Sequence, residues 1–350
     1  MEVTTPGRIC LFGEHQDYLG LPVIAMAISL RISITGKQRN DKQVVIFKSD
    51  LNETEFFSLV DLKYSKPRDY FKSGIKICQK NGLTFSNGFE CEIKSQIPIN
   101  AGTSSSSALN VSWIHFLSKI ADNSKNWDQK KIGELAFDAE VTEFNEPGGM
   151  MDQYSTAIGN LIYLESQPRI SIKKLNPKLG PFILADSGEP KNTFEILKRC
   201  RDSRQKLFKS LITKNPLINI HSCDEDIDLS DLNDDEVKLY FGTIKNRELL
   251  ISALHELQKK IIDKRLIGKL LYEHHTILRD DLKVSTPKIE KMMDAAMNAG
   301  ALGAKINGSG GGGCMFAYAP NNSEKVVEAI DSVGGKAQII YSDEGSKFLN

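Results

Sequence analysis

Pro98-Ile99-Asn100-Ala101-Gly102-Thr103-Ser104-Ser105-Ser106-Ser107 joins a strand-like run to a helix-like one. Upstream, Phe89, Cys91 and Ile93 alternate with Glu90, Glu92 and Lys94, the period of a half-buried strand over Phe89–Ile97. Downstream, Ser104–Ala121 places Leu109, Trp113, Phe116, Leu117 and Ile120 on one helical stripe. A helix start carries free N–H groups and a positive dipole end, so it is a ready anion site. Small residues let the backbone close around phosphate oxygens. Serine hydroxyls add donors and can ligate Mg²⁺. One serine suffices to cap a helix, and four in succession exceed that need. No lysine follows Gly102, so this is not the common P-loop ending in Gly-Lys-Ser/Thr.

Three further segments carry chemistry. Gly13-Glu14-His15-Gln16-Asp17-Tyr18 lies between the apolar stretches Ile9–Phe12 and Leu21–Ile28. Glu-His contributes nothing to turn geometry. Carboxylates beside an imidazole suit sugar hydroxyls, which both donate and accept, and Arg8 stands just upstream. Gly148-Gly149-Met150-Met151-Asp152-Gln153 sets a carboxylate at a helix start. Asp152 reads either as a charge on the helix dipole or as the group facing a substrate hydroxyl. Glu140, at the end of a predicted helix, can return to the same cleft as a Mg²⁺ ligand. Gly308-Ser309-Gly310-Gly311-Gly312-Gly313 separates two strand-like runs, either as a tight turn or where another backbone or a ligand approaches closely.

Around these segments the first half reads as strands at Leu21–Ile34, Gln43–Phe47 and Asn160–Glu165, with helices over Asp69–Asn81, Asp128–Glu143 and Met151–Gly159. After about residue 190 helices dominate, at Thr193–Leu211, Arg247–Ile262, Ile267–Arg279 and Pro287–Ala299. That shift divides the chain into 1–180 and 181–350. Cys223–Glu236 is acidic and reads as a solvated helix start or surface loop in preference to a metal or partner site.

Lys+Arg and Asp+Glu both number 45, a balance that argues against nucleic-acid or membrane-surface partners. Six scattered cysteines without zinc spacing suggest a reducing, cytoplasmic setting. Neither a signal-peptide pattern nor a bilayer-length apolar run is present. Nothing in the sequence sets the oligomeric state or the adenine pocket.

Taken together and in order, the loops resemble the GHMP kinase superfamily, and most closely its galactokinase branch. Arg8–Gly20 looks like the galactokinase signature, Pro98–Ala108 like the phosphate loop, and Gly303–Cys314 like the third motif. Ala139-Glu140, Gly149–Gln153 and His275–Pro287 are also galactokinase-like. Asn100, Thr103 and Gly148 depart from the usual glycine, leucine and cysteine, and the third loop is closer to mevalonate kinases. The resemblance implies an α+β fold in two domains, with an N-terminal ribosomal-protein-like β-α-β unit and a C-terminal ferredoxin-like one. It implies ATP and Mg²⁺ as cofactors and a small-molecule sugar as substrate, phosphorylated at its C1 hydroxyl. Ala101, Gly102, Thr103, Ser104, Ser105, Ser106 and Ser107 would hold the ATP phosphates, and Ser106 with Glu140 would hold Mg²⁺. Glu14, His15, Asp17 and the Gly149 backbone would bind sugar hydroxyls. Asp152, beside Arg8, would act as base or orienting group. Mevalonate, arabinose, a uronic acid or a heptose phosphate are the competing acceptors, and a non-catalytic sugar- and ATP-binding regulator is the competing class.

Overall fold

The computed structural model describes residues 1–99, 101–190, 193–222 and 227–349. Asn100 and the start of the acidic segment, 223–226, lie outside the described residues. The first half supplies β1 (Glu2–Phe12), β2 (Val23–Gln38), β3 (Gln43–Lys48), β4 (Glu53–Ser58), β5 (Phe89–Ser95), β6 (Leu161–Glu165) and β7 (Ser171–Leu175). Its helices are α1 (Tyr70–Lys80), α2 (Ser105–Ile120), α3 (Gln129–Phe137) and α4 (Met151–Ile158). The second half holds β8 (Phe182–Asp186), α5 (Thr193–Lys214), α6 (Asp234–Leu257), α7 (Lys264–Asp280) and α8 (Pro287–Asn298). It continues with β9 (Gly303–Ile306), β10 (Cys314–Tyr318), α9 (Ser323–Ser332), β11 (Lys336–Ile340) and β12 (Lys347–Leu349).

The fold is α+β. An eight-stranded sheet runs β12-β1-β2-β5-β3-β4, with β6 on β2 and β7 on β6. β2 is long enough to serve two partners: Val23–Met26 pairs with β6 and Ile32–Gln38 with β5. β3 runs parallel to β5, and the chain crosses between them through β4 and α1. The second sheet is ordered β11-β8-β10-β9, the antiparallel order of a ferredoxin-like unit. The division expected at 180/181 corresponds to the segment between β7 and β8. β12 crosses back and pairs with β1, where Ser346 Oγ accepts from Thr5 Oγ1 at 2.9 Å. Ser346 Oγ also lies 2.8 Å from His115 Nδ1 on α2.

Helix α2 is sandwiched between the sheet and its neighbouring helices. That position explains why polar Asn110, Ser112 and Ser118 are buried along with Trp113 and Phe116. The phosphate-loop serines therefore sit at the start of one of the most deeply held helices in the molecule. Asp128–Glu143, expected as one helix, divides into α3 and a π-helical turn over Asp138–Thr142. Helix α6 begins at Asp234, well before the expected Arg247, under an Asn233–Glu236 capping box. Asp234, Asp235 and Glu236 of the acidic segment form its first turn, where negative charge suits the helix dipole. Among the described residues no helix is long and apolar enough to cross a membrane.

Candidate active site

A cavity of about 470 Å³ gathers Arg8, Glu14, His15, Asp17, Ala101, Gly102, Ser104, Ser105, Ser106, Ser107, Glu140, Gly149 and Asp152 on its wall. Thr103 is set apart. It is fully buried, and its carbonyl accepts the Arg8 N–H at 3.2 Å, so it faces β1 and not the cavity. β1 is irregular between Pro6 and Arg8, and such breaks in register re-aim side chains beside sites. Gly7 makes the approach feasible, since a Cβ there would lie 2.9 Å from the Thr103 carbonyl.

Arg8 is 3% exposed, and its Nε and NH2 both reach Asp152 Oδ1, at 2.8 and 2.7 Å. Its NH1 donates to the Gly102 carbonyl. Burial works against the charge, but Asp152 and then Glu14 outweigh it and raise the Arg8 pKa. The guanidinium thus ties the carboxylate of α4 to the phosphate loop. Asn307 Nδ2 shares the Gly102 carbonyl at 2.8 Å, and Cys314 N–H takes the Ala101 carbonyl at 2.7 Å. With the loop carbonyls held from behind, the first-turn N–H groups of α2 are the ones left without an intrahelical acceptor. Ser104, in a left-handed conformation, also keeps a buried hydroxyl with no protein partner.

Asp17 lies against Gly149, where an added Cβ would sit 2.1 Å from Asp17 Oδ2. Only glycine lets the two segments meet this closely. Burial, then the Asp152 charge, pushes Asp17 up to about 6. Glu140 rides on the π-helical turn, a feature that recurs at functional sites. Its Oε2 accepts from Gln153 Nε2 at 2.7 Å, and burial pushes its pKa up to about 7 against hydrogen bonds from Gln153, Ser106 and Ser107. A buried carboxylate raised by desolvation is stabilised by a cation, and Ser106 adds an exposed hydroxyl beside it. Among the described residues no group of three or more His, Cys, Asp or Glu side chains could hold a metal. Mg²⁺ commonly takes one or two protein ligands and completes its shell with phosphate and water, so this pair fits that ion.

Glu14 and His15 reach the cavity with much of their bonding already committed. Glu14 Oε2 accepts from Lys305 Nζ at 2.8 Å and from Gly308 N–H at 3.0 Å, and both Glu14 and Lys305 are buried. His15 Nε2 lies 3.1 Å from the Ser309 carbonyl and Nδ1 lies 3.0 Å from the Tyr18 hydroxyl. The consistent tautomer donates from Nε2 and accepts at Nδ1. Burial, then the Arg204 charge, lowers the His15 pKa to about 3, which keeps the ring neutral. Arg204 of α5, 1% exposed, donates to the His15 carbonyl and the Tyr18 hydroxyl. The second half of the chain thereby fixes the Gly13–Tyr18 loop through Arg204 and Lys305. No local pattern in the sequence marks Arg204.

The third glycine loop supports the site more than it lines it. Gly308 and Ser309 reach the cavity. Gly311 N–H bonds Val284 O at 2.7 Å, Gly313 N–H bonds Glu189 O at 3.2 Å, and Gly313 packs on the Ala101 backbone.

The acid limb of any activity should reflect the two raised carboxyls. Rate should fall as pH drops through about 7 to 6. A pH profile at several Mg²⁺ concentrations assigns the limb, because a bound cation favours ionised Glu140. The limb moves to lower pH with added Mg²⁺ if Glu140 carries it, and is lost in Asp17→Asn if Asp17 does. Without Mg²⁺ the same raised pKa values mean that the folded state binds more protons. These two groups then add stability as pH falls from about 7 toward their unfolded range near 4.

Residues 69–160 match the family described as GHMP kinases N terminal domain, and 250–336 match GHMP kinases C terminal. Residues 2–38 match a galactokinase galactose-binding signature. Mevalonate kinase of Thermococcus gammatolerans is 30% identical, over 98% of this chain and 96% of its own. Galactokinase of Clostridium acetobutylicum is 28% identical, over 95% of this chain and 88% of its own. The structure of Lactococcus lactis galactokinase complexed with galactose superposes with a TM-score of 0.84 at 22% identity, covering 99% and 95% of the two chains. With the family's two domains matched around a phosphate-loop helix and an arginine-held aspartate, this chain belongs to the GHMP kinases.

Proposed function

We propose that this chain is an ATP- and Mg²⁺-dependent kinase that phosphorylates the C1 hydroxyl of a hexose, galactose before others. One observation carries the reading: Asp152, held by buried Arg8, lines one cavity together with Asp17, Gly149 and the α2 serines. An acceptor hydroxyl at Asp152 would then face a phosphate chain on the N-terminus of α2. The galactose-binding signature over residues 2–38 supports the sugar side.

In this reading the N–H groups and hydroxyls at Ser104–Ser107 take phosphate oxygens. Ser106 and Glu140 hold Mg²⁺, which neutralises charge on the phosphates. Asp152 accepts or orients the C1 hydroxyl proton, and Arg8 keeps its carboxylate aimed. Asp17, the Gly149 backbone and the remaining oxygen of Glu14 meet sugar hydroxyls, while His15 serves chiefly to hold its loop. Phosphoryl transfer relies on such positioning and charge neutralisation. Ile93, Ile99 and Leu109, on the same cavity wall, offer an apolar surface for adenine.

Mevalonate is the second reading, favoured by the 30% identical mevalonate kinase and by the third loop. Purified protein with ATP and Mg²⁺ should be offered galactose, arabinose, galacturonate, a heptose phosphate and mevalonate while ADP release is followed. Turnover of galactose is expected. Turnover of mevalonate or a sugar phosphate alone would overturn the hexose assignment, and sugar binding without ADP release would favour a regulator.

A further inference from the structure

The phosphate loop has no lysine of its own, yet its cavity is rich in carboxylates. Asp17, Glu140, Glu146 and Asp152 all line it. A polyphosphate entering there needs cationic partners besides one Mg²⁺. Four lining side chains are cationic: Arg8, Lys48, Lys66 and Arg68. Arg8 is fixed on Asp152 and Gly102. Lys48 and Lys66 both hold Glu55, at 3.0 and 2.6 Å.

Arg68 differs from these. Its guanidinium forks onto Glu146, with Nε and NH2 each 2.6 Å from a carboxylate oxygen. It lies over the Phe194 ring of α5, 5.8 Å from the centroid, so it reaches across to the second half of the chain. It also feels the charge of Glu140, the proposed Mg²⁺ ligand. Its backbone is left-handed, with φ 55°, a conformation uncommon for a long side chain and one that clusters at ligand clamps. The loop holding it is pinned on both sides. Tyr64 donates to Glu143 at 2.6 Å, and Asp69 accepts the Ser65 N–H at 3.1 Å. The Arg68 side chain is 43% exposed and that of Glu146 16%, so the guanidinium stays in contact with water and can move to a second anion without crossing a packed interior. A bidentate guanidinium suits phosphate as well as carboxylate.

Resting on the kinase reading, we propose that Arg68 is a phosphate clamp: on nucleotide entry it leaves Glu146 and pairs with the triphosphate beside the Glu140 site. Phosphate on the acceptor is the other source of the same chemistry, and the test separates the two. Calorimetric titration of the full chain with Mg·ATP, Mg·ADP and adenosine, without acceptor, should show Arg68→Gln losing about tenfold to a hundredfold in Mg·ATP affinity. Adenosine binding should not change. Arg68→Lys should recover part of the loss, by returning charge without the fork. Glu146→Gln, which frees the guanidinium, should tighten Mg·ATP binding by up to about fivefold. Wild-type Mg·ATP affinity in Arg68→Gln overturns the proposal, as does a defect confined to the KM of the acceptor. A wild-type chain that binds no Mg·ATP would remove the kinase reading and the clamp with it, an outcome distinct from failure of the variant alone.

Discussion

Asp152→Asn should lower kcat by about 10²- to 10⁴-fold while Mg·ATP binds as before. The amide keeps the shape and one oxygen for Arg8, so the guanidinium is not left without an acceptor. What is lost is the negative charge and the capacity to take a proton from the acceptor hydroxyl. Arg8 is 3% exposed and Asp152 accepts from two of its nitrogens, so a smaller residue would mix a folding defect into the result. Single-turnover kinetics with separate nucleotide titration is the measurement. A variant that retains full turnover would show that another group faces the hydroxyl. A variant that loses Mg·ATP binding instead would place Asp152 on the nucleotide side.

Lys305→Met should destabilise the protein by about 3–5 kcal/mol. Lys305 is fully buried, and its ammonium is shared between Glu14 Oε2 and the Ile306 carbonyl, each at 2.8 Å. Removing it leaves the buried Glu14 carboxylate without its ammonium partner. Glu14→Gln in the same chain removes that charge and keeps an acceptor for the Gly308 N–H. The double variant should therefore recover much of the loss. Urea unfolding of the four members of this cycle measures the coupling. Additive single effects would mean that the pair is not coupled. The single Lys305 variant should also bind acceptor weakly, because Glu14 sits in the loop that presents Asp17.

The site was legible where its signals are local. Alternation in Phe89–Ile97, a serine run and a helical stripe are each contained within a few turns of chain, and they placed α2 and its loop correctly. The close approach of Asp17 to Gly149 was expected only as two segments sharing a ligand; the resemblance carried that expectation, not spacing. Arg204 has no local signature, because its partner His15 is 189 positions away and a single arginine in an amphipathic helix reads as solvent-facing. Lys305 likewise looked like one more strand residue, though it meets Glu14 at a separation of 291. The π-helical turn that carries Glu140 has the same apolar rhythm as the helix before it, so no pattern marks the break. Helix α6 started early because capping and charge, not an apolar stripe, define its first turns.

The return of β12 to β1 has a consequence for how the chain is made. As synthesis proceeds, β1 can pair with β2 at once, but Glu2–Thr4 on its other edge must wait until every element from β3 to β11 has been made. Until Lys347–Leu349 arrives, that edge is open to pairing with any extended segment, including the same strand of a neighbouring nascent chain. β12 thus acts as a cover whose late delivery makes yield, and not only stability, sensitive to changes in Lys347–Leu349.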